Sequence, residues 1–421
     1  MFPVLVMLLL GRLASKAQSV TVTYQPTTYS IKKSNGTAMS EDASVVHLWN
    51  GWLSSVYNKN MLVRDEKLQI GGWGDTYVSL LKFDLEGLPR DVDMAQLGLY
   101  ARDAKSINPS QMSIRRNASS WSPSSVNWSK LPSTDRNILV WPVSTTKNVW
   151  RNYQITSWYN DWQSGKYPNN GLTLWPYGNT KGQRFDRFSS SYIQAPTEAE
   201  LISARPLLRL KFIPTLQLKM PLPGNVSWLV TTEVGGYDCK GDYDVYHDDN
   251  NYFSIDFSWR SRDVKGNLAY KNPDPDNNPR TDDKVFIPVI AAAGGVVIEA
   301  GMTQANGNYV VIDHDGDKKV HTGFQTRYLH LQNPGPVVRK NQVVKQGDLL
   351  GYMGNTGLST GAHLHFGVRF RNSGESSIPE LSKVVMDGWL LKSFQTECSV
   401  NSKTGIPLDW NRFYKSSNRV Y

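Results

Sequence analysis

The chain has 421 residues, 39% hydrophobic and 20% charged, with 46 Lys and Arg against 37 Asp and Glu for a net charge of +9. This length suggests two to three domains, and 14 Trp and 20 Tyr supply apolar bulk for sizeable cores. The positive balance suits anionic surfaces, while the lack of a dense Lys/Arg run or a recognisable module argues against nucleic acid.

The first residues, Phe2-Pro-Val-Leu-Val-Met-Leu-Leu-Leu10, are an apolar run too short to span a bilayer, which takes about 20 residues. With the small residues Ser15 and Ala17 behind it, the run reads as a signal peptide over 1–17. No later segment could span a membrane, so export would release a secreted or periplasmic protein with no integral membrane segment in the mature chain. Four Asn-x-Ser/Thr sites, at Asn35, Asn117, Asn127 and Asn225, matter only if the host glycosylates secreted proteins.

Residues 20–213 hold ten of the 14 tryptophans. Short β-type runs recur at Tyr77–Leu85, Ala95–Ala101, Gly171–Trp175 and Pro206–Phe212, separated by turn residues, which predicts a β-sandwich. A short helix is predicted around Thr156–Trp162, ended by Gly165. Leu80-Leu-Lys-Phe-Asp-Leu85, Trp121–Trp128 with Leu131-Pro132, and Trp162–Gly165 with Asn169–Leu172 resemble the DNRLRE family, a jelly-roll module of secreted bacterial proteins. The resemblance implies polysaccharide binding, since exposed aromatics can stack on sugar faces. Most single tryptophans are expected in the core, and no sugar-binding residue is assigned.

Pro221, Pro223 and Gly224 mark a linker over 214–224, with Leu216–Met220 as an alternative first strand of the next domain. Between 225 and 372 the apolar runs carry chemistry. Tyr252-Phe-Ser-Ile-Asp256-Phe257 holds one acid. Phe286–Ile298 and Asn308–Asp313 are strand-like. Thr326-Arg-Tyr-Leu-His330-Leu331 alternates around a histidine, and Val344–Gly354 reads as strand, turn, strand. Next comes Gly357-Leu-Ser-Thr-Gly-Ala-His363-Leu-His365-Phe366. Histidines at i and i+2 on a strand share one face and can serve one site. Only seven histidines exist in the chain, and two of them are in this pair. A bare His-x-His is weak evidence, so its surroundings decide.

Ile255-Asp256-Phe257, Pro288-Val289 with Ala291–Val297, Tyr328-Leu-His330-Leu331, and Gly351 to Phe366 resemble, in that order, the M23 zinc metallopeptidases of the lysostaphin type, which cut peptide cross-links in bacterial cell walls. The resemblance implies an antiparallel β-sheet peptidase domain and hydrolysis of peptidoglycan by a zinc-activated water; plentiful Gly, Thr, Ser, Tyr and Trp with few long amphipathic helical patterns favour an all-β chain overall. The resemblance makes Asp256 and His365 zinc ligands and places His330 and His363 beside the water and substrate as catalytic residues. A catalytic zinc needs about three protein ligands. The family's usual first histidine, four residues before the aspartate, is here Tyr252. His247 is the expected replacement ligand, with Asp248 or Asp249 as oxygen alternatives. If His247 is idle, the domain would be a degenerate, non-catalytic module that binds cell wall or a partner protein. A protein or glycopeptide substrate other than wall is a further alternative.

His314 is expected in a hairpin turn, His321 on the following strand, and His47 in a structural role within the first domain. The acidic run Asn272–Asp283 lacks a calcium-loop spacing and reads as an exposed insertion, either a plain solvated loop or one wall of the substrate groove. Cys239 and Cys398 flank the peptidase region and could pair after export. Residues 373–421 form a tail whose Trp389 and Trp410 suggest packing on the peptidase.

Overall fold

The computed structural model describes residues 18–25, 40–47, 61–63, 67–72, 76–104, 110–122, 125–143, 146–177, 184–189, 204–238, 242–247, 251–278, 285–319, 322–371, 378–396, 398–400, 407–410 and 413–418. The expected signal peptide, Asp248, Asp249, His321, Asn35 and Cys239 lie outside them, and so does any test of the disulfide. Among the described residues no helix is long and apolar enough to cross a membrane.

The fold is all-β, as expected. In the first half, 12 strands form one hydrogen-bonded antiparallel set, from Val20–Tyr24 to Leu207–Phe212. Strands Thr76–Phe83, Met94–Ala104, Leu172–Tyr177 and Leu207–Phe212 fall on the predicted runs. Their apolar faces enclose a core of Leu81, Leu97, Leu99, Ile114, Leu174 and Leu210. The helix Thr156–Gln163 is capped by Ser164 and stops at Gly165, whose φ of +75° suits glycine. Trp121 and Trp158 are buried, and Trp128, Trp141, Trp150, Trp162 and Trp175 are half-buried. Asn117 is 2% exposed, with its amide bonded to Asn170 and Thr173, so that sequon offers no free acceptor.

The second half is built on an eight-stranded sheet. Its order is Val343–Val344, Gly295–Thr303, Gly307–Asp313, Gly323–Leu331, His363–Arg371, Ser254–Arg262, Ser227–Thr232 and Phe413–Lys415. Alternation gives its central strands one apolar and one polar face. Ile255, Phe257, Leu364, Phe366 and Tyr328 enter the core, while Asp256, His363 and His365 take the other face.

The segment expected as a linker is instead part of the fold. Leu216–Leu218 pairs in parallel with Val384–Met386 of the tail, and Leu218, Met220 and Leu222 are buried in the second core. The prolines end strands here without freeing the chain. The tail serves both halves. Val384 and Met386 enter the second core, whereas Val385, between them on the strand, enters the first. Gln395 Nε2 donates to the Tyr24 hydroxyl across the same junction.

Candidate metal centre and cleft

Strand register builds the site. Asp256 lies opposite His365, and Ser258 lies opposite His363, on the paired strands Ser254–Arg262 and His363–Arg371. On the other side of His365 stands Leu329. His247 arrives from a short 3-10 turn, Val245–His247, and is fully buried. One atom from each of His247, Asp256 and His365 falls in a group within 4.8 Å, a set that could hold a metal ion. His247 Nε2 lies 3.1 Å from Asp256 Oδ2, and His365 Nδ1 lies 3.1 Å from Asp256 Oδ1.

Those contacts are short but poorly aligned as hydrogen bonds. His247 Nε2 and Asp256 Oδ1 are buried without hydrogen-bond partners. Unsatisfied buried polar atoms are costly, and convergent orphaned lone pairs are what a cation would satisfy. The ring orientation agrees. His247 Nδ1 lies 3.1 Å from the Ser254 carbonyl, which can only accept, so Nδ1 carries the proton and, in the neutral ring, Nε2 keeps its lone pair on the Asp256 side. This is how ligand imidazoles are usually held. The residues present therefore fit a divalent metal.

Burial lowers the His365 pKa to about 4 and, helped by His363 and His365, lowers that of His330 to about 3. Both imidazoles are neutral at neutral pH, the form that ligates metal or accepts a proton. For Asp256, burial alone would raise the pKa, but His247 and His363 hold it well below the carboxylate range. Burial alone would lower His247, but Asp256, with Asp244 and the Ser254 carbonyl, raises it.

His330 and His363 flank the cluster, their rings 4.8 Å apart. Strict alternation would turn His330 to the core face with Thr326 and Tyr328. A φ of +63° breaks the alternation, and His330 lines the cleft instead. Such left-handed backbone costs about 1–3 kcal/mol and persists where the surroundings enforce it. Here His330 N donates to the Asn306 carbonyl at 3.0 Å, and Nδ1 donates to the Thr356 carbonyl at 2.8 Å. Gly357 makes that support possible. Its φ is +83°, and a Cβ there would stand 2.2 Å from the Gly307 nitrogen. His363 Nδ1 donates to the Gly361 carbonyl at 2.7 Å, leaving Nε2 in the cleft 3.8 Å from Asp256 Oδ1.

Tyr252 is turned away from the site. Its hydroxyl accepts from the buried Lys392 ammonium at 3.4 Å, at the junction of the two halves. The position of the family's usual histidine is thus given to packing, and His247 occupies the space beside Asp256. His314 sits between two strands as expected, its Nδ1 on the Gly294 carbonyl and Nε2 on the Thr326 hydroxyl. His47 lies on the strand Ser40–His47 of the first half.

The cluster opens into a cleft of about 920 Å³. Asn272, Asp274, Pro275 and Asn277 of the acidic insertion form one wall of it. Asp274 is 3% exposed and accepts from Asn355 Nδ2 at 2.6 Å, which pins the wall to the strand-turn region behind the histidines. Sequence reasoning missed Asn251, Asn306, Arg327 and Arg369 in this cleft. Continuing the His363, His365 alternation to Gly367 and Arg369 would have reached the last of these.

Two family models match the two halves of the chain. Residues 282–377 match Peptidase family M23, and residues 57–196 match carbohydrate-binding module family 96. The chain carries an M23 peptidase domain behind a carbohydrate-binding module of that family. His247 and Asp256 precede the matched M23 segment. Among relatives, peptidoglycan DD-endopeptidase ShyA of Vibrio cholerae is 36% identical over 143 residues, 31% of each chain. ShyC of the same species, also a peptidoglycan DD-endopeptidase, is 43% identical over 82 residues, 20% of this chain and 17% of the relative. This chain thus spans less than a third of the length of these relatives. The catalytic domain of lysostaphin from Staphylococcus simulans is 23% identical, with 37% of this chain and 92% of that one covered and a TM-score of 0.23.

Proposed function

We propose that the chain is an exported zinc endopeptidase that hydrolyses peptide bonds in bacterial peptidoglycan. The observation that carries this reading is the buried convergence of His247, Asp256 and His365, with His330 and His363 beside it at the mouth of a cleft. Three protein ligands from N and O donors leave a position open for chemistry. Zinc held there would polarise a peptide carbonyl and bring a water's pKa towards neutrality.

The chain's own residues do the rest. His330 and His363 each donate Nδ1–H to a backbone carbonyl, so each offers Nε2 to the cleft as an acceptor. They hold the attacking water and carry its proton to the leaving amine. The wall formed by Asn272, Asp274 and Asn277 keeps the peptide strand against the histidines. The family 96 module would hold the enzyme on polysaccharide. In this reading residues 20–213 deliver the chain to the wall, residues 225–372 cut it, and 373–421 fix the two together.

The test is incubation of purified cell walls with residues 18–421. New free amino groups and soluble cross-link fragments are expected, and they should disappear with His363→Ala. Walls left intact by a folded, zinc-loaded chain would favour the non-catalytic binding module.

A further inference from the structure

We propose that Arg327 and Arg369, bridged by Asn251, form a pocket for a carboxylate of the peptide substrate beside the His247–Asp256–His365 cluster. The pocket rests on the peptidase reading above and names what part of the peptide it recognises.

Its placement comes from alternation. His365, Gly367 and Arg369 share one face of the strand His363–Arg371, and Arg327 lies opposite Gly367 in register. Both arginines line the cleft. At about 3.3 Å per residue, Arg369 stands about 13 Å along the strand from His365, with Gly367 midway. A Cβ there would meet Ser254 Oγ at 2.9 Å and stand 3.9 Å from His365 Nε2, so only glycine fits between the cluster and the arginines, which line one cleft. An extended peptide bound along it would set a carboxylate roughly two to four residues from the reacting carbonyl.

The charges are poorly neutralised. Arg327 is 9% exposed, and its guanidinium donates to Asn251 Oδ1 at 3.1 Å and to Asn306 Oδ1 at 3.3 Å. Arg369 donates to the same Asn251 oxygen. Among the described residues neither guanidinium has a carboxylate in ion-pair contact; Glu299 acts on both from further off. Arg369 Nε is buried without a partner. Burial, then Arg327 and Arg371, lower the Arg369 pKa to about 9. Two cations sharing one neutral acceptor in a half-buried wall are costly to keep, and the planar guanidinium fork fits a carboxylate.

The test uses the full chain with Asp256→Ala to stop turnover. Its ligands are a synthetic cross-linked stem peptide with free carboxylates and the same peptide with every carboxylate as carboxamide. Calorimetry should show the acid form binding at least about tenfold tighter, the worth of one charge-assisted pair. Adding Arg369→Gln should bring the two forms to within about threefold, and Arg369→Lys should fall between, with melting curves confirming the fold. Equal binding of the two forms by the Asp256→Ala chain, or a folded Arg369→Gln chain that keeps the preference, would overturn the pocket. Binding is read without hydrolysis. Failure of the unsubstituted chain to cut walls would therefore count against the peptidase reading alone.

Discussion

Asp274 anchors the cleft wall, and Asp274→Ala is the sharpest way to loosen it. Two hydrogen bonds end on its carboxylate, from Asn355 Nδ2 at 2.6 Å and from the Asn278 amide at 2.9 Å. The Asn278 amide also reaches Asp276 Oδ1 at 3.0 Å, so its loss is small. Asn355 is different. It is 4% exposed, and its amide would keep only Asn277 Oδ1 at 2.9 Å, on a wall no longer anchored. A bond to a charged acceptor contributes about 1.5–3 kcal/mol, and regained hydration of the deleted carboxylate offsets part of it, so a loss of about 1–3 kcal/mol is expected. Urea unfolding followed by tryptophan fluorescence reads the stability. Cleavage kinetics on soluble cross-linked peptide should show KM rising more than kcat falls, because the wall positions substrate and touches no proton in flight. Asp274→Asn should be milder, since an amide oxygen can still accept. A loss under about 0.5 kcal/mol with unchanged KM would refute the wall's anchoring role.

Other outcomes rest on the same geometry. Chelation should abolish wall cleavage, zinc should restore it, and saturating metal should raise stability by about 4 kcal/mol at 1,000 times Kd; activity surviving thorough chelation would remove the metal from the account. His314 is held below the ordinary histidine value by burial. The unfolded chain therefore takes up that proton first as pH falls below about 6.5. Stability from neutral His314 is full above that pH and is lost on acidification towards the lower folded value. His314→Gln should flatten the fall in urea midpoint between pH 7.5 and 5, and an unchanged slope would contradict this. Tyr252→Phe should leave zinc content unchanged, because the hydroxyl faces Lys392 at the junction; zinc lost with the fold intact would place Tyr252 at the metal after all.

Period-2 patterning made the two sheets legible. Ile255-Asp256-Phe257 and His363-Leu-His365-Phe366 each state which face is core and which is site, and register then brings Asp256 opposite His365. The turn chemistry around Gly165 and Gly357 was legible for the same local reason. What was not legible depends on distant partners. Alternation alone turns His330 to the core, and only the family resemblance put it beside the substrate; Asn306 and Thr356, from two other segments, hold the left-handed backbone that takes it to the cleft. The run 214–224 reads as a linker because its prolines are local, while the partners that bury it, Val384–Met386, lie more than 160 positions further along. Arg327 and Arg369 look like ordinary strand arginines until the sheet sets them side by side.

The central claim is a three-ligand metal site that includes His247. Elemental analysis of purified residues 18–421, beside His247→Ala, His365→Ala and Tyr252→Phe, tests it most directly. The account predicts about one zinc per chain, retained in Tyr252→Phe and lost in both histidine variants. Full zinc in a folded His247→Ala chain, or none in the unsubstituted protein, would contradict it.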